Sequence, residues 1–386
     1  MSADLSALGA GAGMQLHAAQ RIVIKIGSAL LYDETDGGAK QDWMQALADD
    51  VAWLTNLGKE VVLVSSGSIA LGRHVLGLGK GRIKLAEKQA AAAAGQVQLV
   101  EAWTAALSRH DLKSAQILLA PDDTETRRRH LNARDTFQAL LSLGVVPVVN
   151  ENDTITTYEI RFGDNDRLAA RVAAMISADL LILLSDVDGL YDRNPQLFED
   201  AQHIPDITQI TPDILEMGGA SHNDFASGGM ATKLAAAQIA TRAGVAMLIC
   251  DGRPLHPVRN LDGSAKSSLF HAQLAPQAAR KSWIAGALDI KGQVRCDAGA
   301  SAALKKGKSL LPIGVVEVSG SFERGDLIAI LDSDGHEIAR GLAGYNAKDA
   351  ALIKRHKSDA FTSLIGYDGR PELVHADDLV LLDDSN

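Results

Sequence analysis

An α/β sandwich with a mainly parallel central sheet, followed by a small mostly-β domain, is the fold class that three observations predict. From Arg21 onward, short runs rich in Val, Ile and Leu alternate with longer Ala- and Leu-rich amphipathic stretches, the rhythm of βαβ units. The short runs are nearly all apolar, as strands buried on both faces should be. After residue 280 the texture changes to shorter strands separated by Gly-rich turns.

The elements follow in order. Strands are expected at Arg21–Ile26, 61–64, 116–119, 145–149, 180–184 and 245–250, with helices at 42–57, 85–109, 130–143, 167–176 and 232–242. Residues 154–160, rich in Thr and Ile, read as a hairpin that breaks the rhythm beside a polar cluster, a place to look for binding. In the second domain strands are expected at 315–319, 326–331 and Glu337–Leu342, and helices at 301–306 and 346–354. The chain thus divides into a flexible extension over residues 1–20, an α/β domain over 21–276 and a mostly-β domain over 277–386.

Composition narrows the function classes. With 46% hydrophobic and 22% charged residues among 386, the chain can bury large cores and does not have a disordered composition. The formal net charge is −10, and the short run Arg127, Arg128, Arg129 reads as a solvated helix start rather than a nucleic-acid patch. Cys250 and Cys296 lie far apart without CxxC spacing, which argues against a disulfide framework or zinc site and fits a reducing cytoplasm. The first twenty residues lack the basic start and apolar core of a signal peptide. No run approaches the roughly 20 apolar residues that span a bilayer.

Polar motifs gather at the ends of the expected strands, where open α/β folds collect their ligands. The first strand ends in Lys25-Ile26-Gly27-Ser28, offering an ammonium to a phosphoryl group and a glycine that lets backbone approach phosphate oxygens. The second runs into Ser65-Ser66-Gly67-Ser68, a glycine turn opening a helix, whose N–H groups suit an anion as readily as a simple cap. It has neither the GxxxxGK[ST] spacing of a Walker loop nor the GxGxxG of a dinucleotide fold, which disfavours a nicotinamide cofactor. Asn150-Glu151-Asn152-Asp153 and Gly163-Asp164-Asn165-Asp166 form two acidic loops able to chelate a metal or hold an amino-acid ammonium, or else to make Asx turns. Ser185-Asp186 follows another strand, and Ser227-Gly228-Gly229-Met230-Ala231-Thr232-Lys233 can expose N–H groups to phosphates with Lys233 entering from a first helical turn.

Taken in order, with Leu131-Asn132-Ala133-Arg134-Asp135-Thr136, these loops resemble the amino-acid kinase superfamily, and within it the glutamate 5-kinases, over about residues 20–280. The resemblance implies ATP as phosphoryl donor and L-glutamate as acceptor, with Mg²⁺ held chiefly by ATP oxygens and water. Nucleotide contacts carry over to Lys25, Ser185, Asp186, Ser227, Gly228, Gly229, Met230, Ala231, Thr232 and Lys233, and acceptor contacts to Ser66, Asp153 and Asn165; beside these, Gly27 is assigned to the nucleotide and Gly67, Asn150 and Asp166 to the acceptor. Lys25 and Lys233 are assigned to the transferring phosphoryl group, with Asp164 orienting them. The pattern departs from the family at Ala226-Ser227, where a Gly-Thr pair is frequent. Also implied are inhibition by proline, a homo-oligomer and hand-over of product to glutamyl phosphate reductase.

Such a reaction needs no general base. A glutamate side chain with a reference pKa of about 4.3 is already an anion at neutral pH, so charge compensation and positioning are what the site must supply. The tail, through Gly299–Ala303, Gly307-Lys308-Ser309 and Phe322-Glu323-Arg324-Gly325-Asp326, resembles a PUA domain. Residues 281–386 carry 13 Lys and Arg against 16 Asp and Glu, a poor electrostatic partner for RNA. The competing readings are another kinase of the superfamily, or an RNA-binding protein with a degenerate kinase fold.

Overall fold

Six strands run parallel: β1 (Arg21–Ile26), β2 (Glu60–Ser65), β3 (Lys113–Leu119), β4 (Val145–Glu151), β5 (Leu180–Ser185) and, after the two-residue β6 (Asp206–Ile207), β7 (Ala246–Asp251). With β8 (Ser267–Phe270), which runs antiparallel to β7, they form an eight-stranded sheet of order β3-β4-β2-β1-β5-β7-β8-β6. The computed structural model describes residues 5–33, 37–79, 81–156, 165–219, 229–263, 265–286 and 289–382.

Side chains alternate across the sheet because a strand has a period of two. Ile22, Ile24, Ile26, Leu180, Ile182 and Leu184 enter one core, packed by α1 (Leu5–Ala18), α2 (Gln41–Asn56) and α4 (Leu85–Ser108). Val23, Leu181 and Leu183 enter the other, covered by α5 (Arg127–Ser142), α6 (Asn165–Met175) and α7 (Met230–Arg242). Every residue of β5 is buried, which explains its unbroken Leu-Leu-Ile-Leu-Leu run. β3 departs from that expectation: it is an edge strand, mostly half-exposed, and its Lys113, Ser114 and Gln116 are tolerated because only one side is paired.

Two helices meet at backbone distance. A Cβ on Gly72, in α3 (Ser68–Val75), would lie 1.7 Å from the Ala91 carbonyl oxygen, and one on Gly95 would lie 1.8 Å from that of Ser68. Glycine at both positions therefore lets α3 and α4 cross in direct contact.

The first residues differ from the expected flexible extension. Residues from Leu5 to Ala18 are helical, and Ala12, Leu16 and Ala19 are buried. The Lys59 ammonium donates to the His17 and Ala19 carbonyls at 2.7 and 2.6 Å, closing the helix C-terminus. Docking by small side chains explains why the stretch looks featureless: a Cβ on Gly13 would come within 3.3 Å of the Leu261 carbonyl. Of the hairpin expected at 154–160, Thr154 and Ile155 form a turn, and residues 157–160 lie outside the described residues.

The second compact unit comprises residues 277–386 and also 126–132, so the opening of α5, expected in the α/β domain, clusters with it instead. Its sheet has the order β10-β9-β11-β12-β13, built from β9 (Gly292–Cys296), β10 (Val315–Gly320), β11 (Leu327–Leu331), β12 (Glu337–Leu342) and β13 (Leu379–Leu381). β9 and β11 are parallel and the other pairs antiparallel. Val294, Ile328, Ile330, Phe361 and Cys296 fill its core. Both cysteines are buried and free.

Candidate active site

The C-terminal ends of β1, β2, β4 and β5 deliver Lys25, Ser65, Asn150 and Ser185 to one edge of the sheet. Parallel strands make this edge a natural site, since each ends in a loop on the same side.

Three charges from different elements meet there. Lys25 Nζ, from β1, lies 2.5 Å from Asp166 Oδ1, and Lys233 Nζ, from the first turn of α7, lies 3.2 Å from Asp166 Oδ2. Lys25, Asp166 and Lys233 are 8%, 1% and 6% exposed, so the pairs are scarcely screened by water. Burial pushes the Asp166 carboxyl upward, but the two ammonium groups outweigh it and hold it below the ordinary carboxylate range. Its place in the first turn of α6 favours the anion as well. The Thr232 hydroxyl, 3.1 Å from Asp166 Oδ2 and 2.9 Å from the Gly229 carbonyl, ties the start of α7 to the same carboxylate. Gly229 caps that helix at φ +115°, a conformation open to glycine, with no atom of the described residues within 4 Å of where a Cβ would stand.

A second, uncharged chain of hydrogen bonds adjoins the first through Asn165. Its Nδ2 reaches Ser66 Oγ at 2.7 Å, the Ser65 carbonyl at 3.2 Å and Asn150 Oδ1 at 3.0 Å. Asn150 Nδ2 in turn reaches Ser68 Oγ at 3.2 Å and Gln96 Oε1 at 2.9 Å. Gly67 turns the chain from β2 into α3 at φ +102°. Buried Trp103 donates to Ser65 Oγ at 2.9 Å from beneath. Two loops apart in sequence thus share one polar network, which sits beside the lysine pair because Asn165 is the chain neighbour of Asp166.

This arrangement can hold an anion at the lysines and a polar acceptor beside it. The family model of the amino acid kinase family matches residues 20–251, and that of the PUA domain matches residues 292–365. A glutamate 5-kinase of Agrobacterium fabrum is 53% identical over 361 residues, covering 94% of this chain and 92% of that protein. This chain belongs to the glutamate 5-kinase branch of the amino acid kinase family. Glutamate 5-kinases of Brucella anthropi and Sinorhizobium fredii are 53% and 54% identical over 372 and 362 residues, covering 96% and 94% of this chain and 98% and 92% of theirs.

In this member of the branch, the carboxylate that bridges the lysines is Asp166, expected from the sequence at the acceptor; Asp164, expected to orient them, lies outside the described residues, as do Ser227 and Gly228. Ser66, Asn150 and Asn165 meet as one network, whereas Asp153 sits in the turn after β4, partly buried. Ser185 and Asp186 form their own pair at 3.0 Å. Asp186 lines a cavity of about 610 Å³ with Arg253, Lys40 and Trp43. Gly27 precedes a short helix, Ser28–Leu31, and a Cβ there would meet only the Leu184 carbonyl at 3.7 Å, so no packing demand within the protein requires glycine. Met230 and Ala231 open α7, half-buried. Gln96 was not anticipated. Its only sequence signal is Gly95 inside an Ala-rich helix, which marks a close approach and so the depth of the next side chain.

Proposed function

We propose that this kinase unit transfers the γ-phosphoryl group of ATP to the side-chain carboxylate of L-glutamate, giving L-glutamyl 5-phosphate and ADP, the first step of proline biosynthesis. The observation that carries the reading is the buried Lys25–Asp166–Lys233 cluster in a chain 53% identical to glutamate 5-kinases over nearly its whole length.

The chemistry follows from charge. Two ammonium groups and one carboxylate leave one net positive charge in a site shielded from water, where it acts strongly on phosphoryl oxygens. Asp166 keeps the two ammonium groups on separate oxygens, so that each faces a different part of the transferring group instead of folding against solvent. The backbone around Gly27, Gly67, Gly228 and Gly229 supplies N–H donors to phosphates. Ser66, Gly67, Asn150, Asp153 and Asn165 bind the acceptor, which attacks as the anion it already is at neutral pH.

Mg²⁺ accompanies ATP as part of the substrate. Asp166 already serves two lysines and a hydroxyl, and the described residues of this unit hold no cluster of three His, Cys or carboxylate ligands. The ion rests chiefly on phosphate oxygens and water, as is usual for Mg²⁺. Among the described residues no helix is long and apolar enough to cross a membrane, which agrees with a cytoplasmic enzyme. Family resemblance supports inhibition by proline, a homo-oligomer and delivery of the labile product to glutamyl phosphate reductase. The acidic tail supports a role for the PUA domain other than RNA binding.

The test is ADP formation with glutamate, aspartate and acetylglutamate as acceptors, with hydroxylamine present to trap an acyl phosphate as the hydroxamate. Glutamate should be the preferred acceptor. Turnover of acetylglutamate without turnover of glutamate would overturn the assignment.

A further inference from the structure

Gln96 ends the polar network in a donor that nothing accepts. Its Nε2 is sealed from solvent and meets no hydrogen-bond partner among the described residues. A buried donor left unpaired is rare and destabilising, so a site that keeps one calls for an acceptor brought from outside.

The amide orientations are fixed from the backbone outward. Asn165 Nδ2 faces the Ser65 carbonyl, which can only accept. Asn150 Oδ1 takes the Glu151 N–H at 2.9 Å and Asn165 Nδ2 at 3.0 Å, so this atom is the oxygen. Asn150 Nδ2 therefore faces Ser68 and Gln96, and Gln96 must turn its own oxygen toward it. Nε2 is what remains. The glycine contact between α3 and α4 holds the position: Gly95 leaves no room for a Cβ against the Ser68 carbonyl, so the backbone beside Gln96 is pinned to the start of α3.

From this geometry we infer that Gln96 Nε2 binds the α-carboxylate of the acceptor amino acid, which reaches it once the side chains that cover it part to admit the substrate. The inference rests on the glutamate reading above and deepens it. Of the three charged groups on glutamate, the ammonium can only donate and the side-chain carboxylate belongs at the lysines, where it meets the phosphoryl group. The α-carboxylate alone is a free acceptor. Gln96 also lies two amide hydrogen bonds beyond Asn165, the neighbour of Asp166, and so belongs to the non-reacting end of the substrate. A contact whose partner keeps its charge through the reaction governs binding rather than turnover.

The experiment compares steady-state constants of the wild-type enzyme, Gln96→Glu and Gln96→Met. Gln96→Glu keeps an oxygen for Asn150 but puts an anion where the free N–H was. It should raise the KM for glutamate by about 10- to 100-fold, with kcat and the KM for ATP within about threefold. A KM for glutamate within about twofold of wild type would overturn the inference, because a purely structural role, accepting from Asn150, survives this substitution. If Gln96→Glu does not fold, Gln96→Met removes both the free donor and the oxygen that Asn150 uses; the KM for glutamate is expected to rise about tenfold, and an unchanged KM overturns the inference. Absence of glutamate turnover in the wild-type protein would instead remove the parent reading, and the inference with it.

Discussion

Asp166→Asn separates the orienting role seen in the structure from the acceptor-binding role that the sequence suggested. Unit charges at the observed 2.5 and 3.2 Å attract by roughly 7 and 5 kcal/mol at an effective dielectric constant of about 20, before desolvation is subtracted. Removing the carboxylate leaves two ammonium groups buried without their counterion, a net loss of roughly 3–5 kcal/mol, although the amide can still accept from Thr232. The lysines should part, and kcat should fall about 10²- to 10³-fold while the KM for glutamate changes little. The assay is hydroxamate formation against each substrate, on protein shown to be folded by circular dichroism and its urea midpoint. There is a pH signature too. A carboxyl held below its reference value of 3.8 contributes stability above that pH and loses it as pH falls through the folded-state pKa, so the asparagine variant should lack that part of the acid-side loss. A variant with near-normal kcat and a strongly raised KM for glutamate would refute the orienting role and return Asp166 to the acceptor.

Lys233→Ala should mainly lower kcat, by roughly 10²-fold or more, because its ammonium meets charge that develops during transfer; a pure KM defect for glutamate would speak against that. Asp153→Ala should chiefly raise the KM for glutamate and leave that for ATP unchanged, measured in the same assay. Buried Asp50 accepts the Val258 and Arg259 N–H groups at 3.0 and 3.2 Å, so Asp50→Ala should cost about 2–4 kcal/mol in urea unfolding, whereas Asp50→Asn should keep most of that stability. Burial raises the Asp50 pKa above 3.8, so ionisation works against folding and stability from this group falls as pH rises from 3.8 through the folded-state pKa; Asp50→Asn should lose this slope. Gly95→Ala should destabilise by about 1–3 kcal/mol through overpacking against α3 and weaken glutamate binding through Gln96, and unchanged stability would mean the helix contact is looser than described.

The parallel sheet was legible because β1, β2, β4, β5 and β7 are buried on both faces and so must be apolar throughout. Where burial is partial the signal fades: β6 has two residues, β8 only four, and neither was expected. α1 escaped notice because small residues dock it, leaving no broad apolar stripe to read. In the site, strand-end motifs exposed Lys25 and Asn150, since a polar residue at the end of an apolar strand is conspicuous, and the Gly-Gly turn opening a helix exposed Lys233. Which of two aspartates in Gly163-Asp164-Asn165-Asp166 bridges the lysines depends on the phase at which α6 begins, and helix starts are poorly fixed by local pattern. Gln96 depends on helix–helix distance, a tertiary property that shows only as a glycine in an alanine run.

The central claim is that the glutamate side-chain carboxylate itself attacks the γ-phosphoryl group at the lysine pair. Glutamate labelled with ¹⁸O in that carboxylate, turned over with ATP in hydroxylamine, tests it directly: hydroxylamine attacks the acyl carbon and releases phosphate bearing the bridging oxygen. One ¹⁸O per phosphate, matched to ADP formed, is the predicted result. Unlabelled phosphate appearing at the rate of ADP formation would contradict it, because the γ-phosphoryl group would then have gone to water.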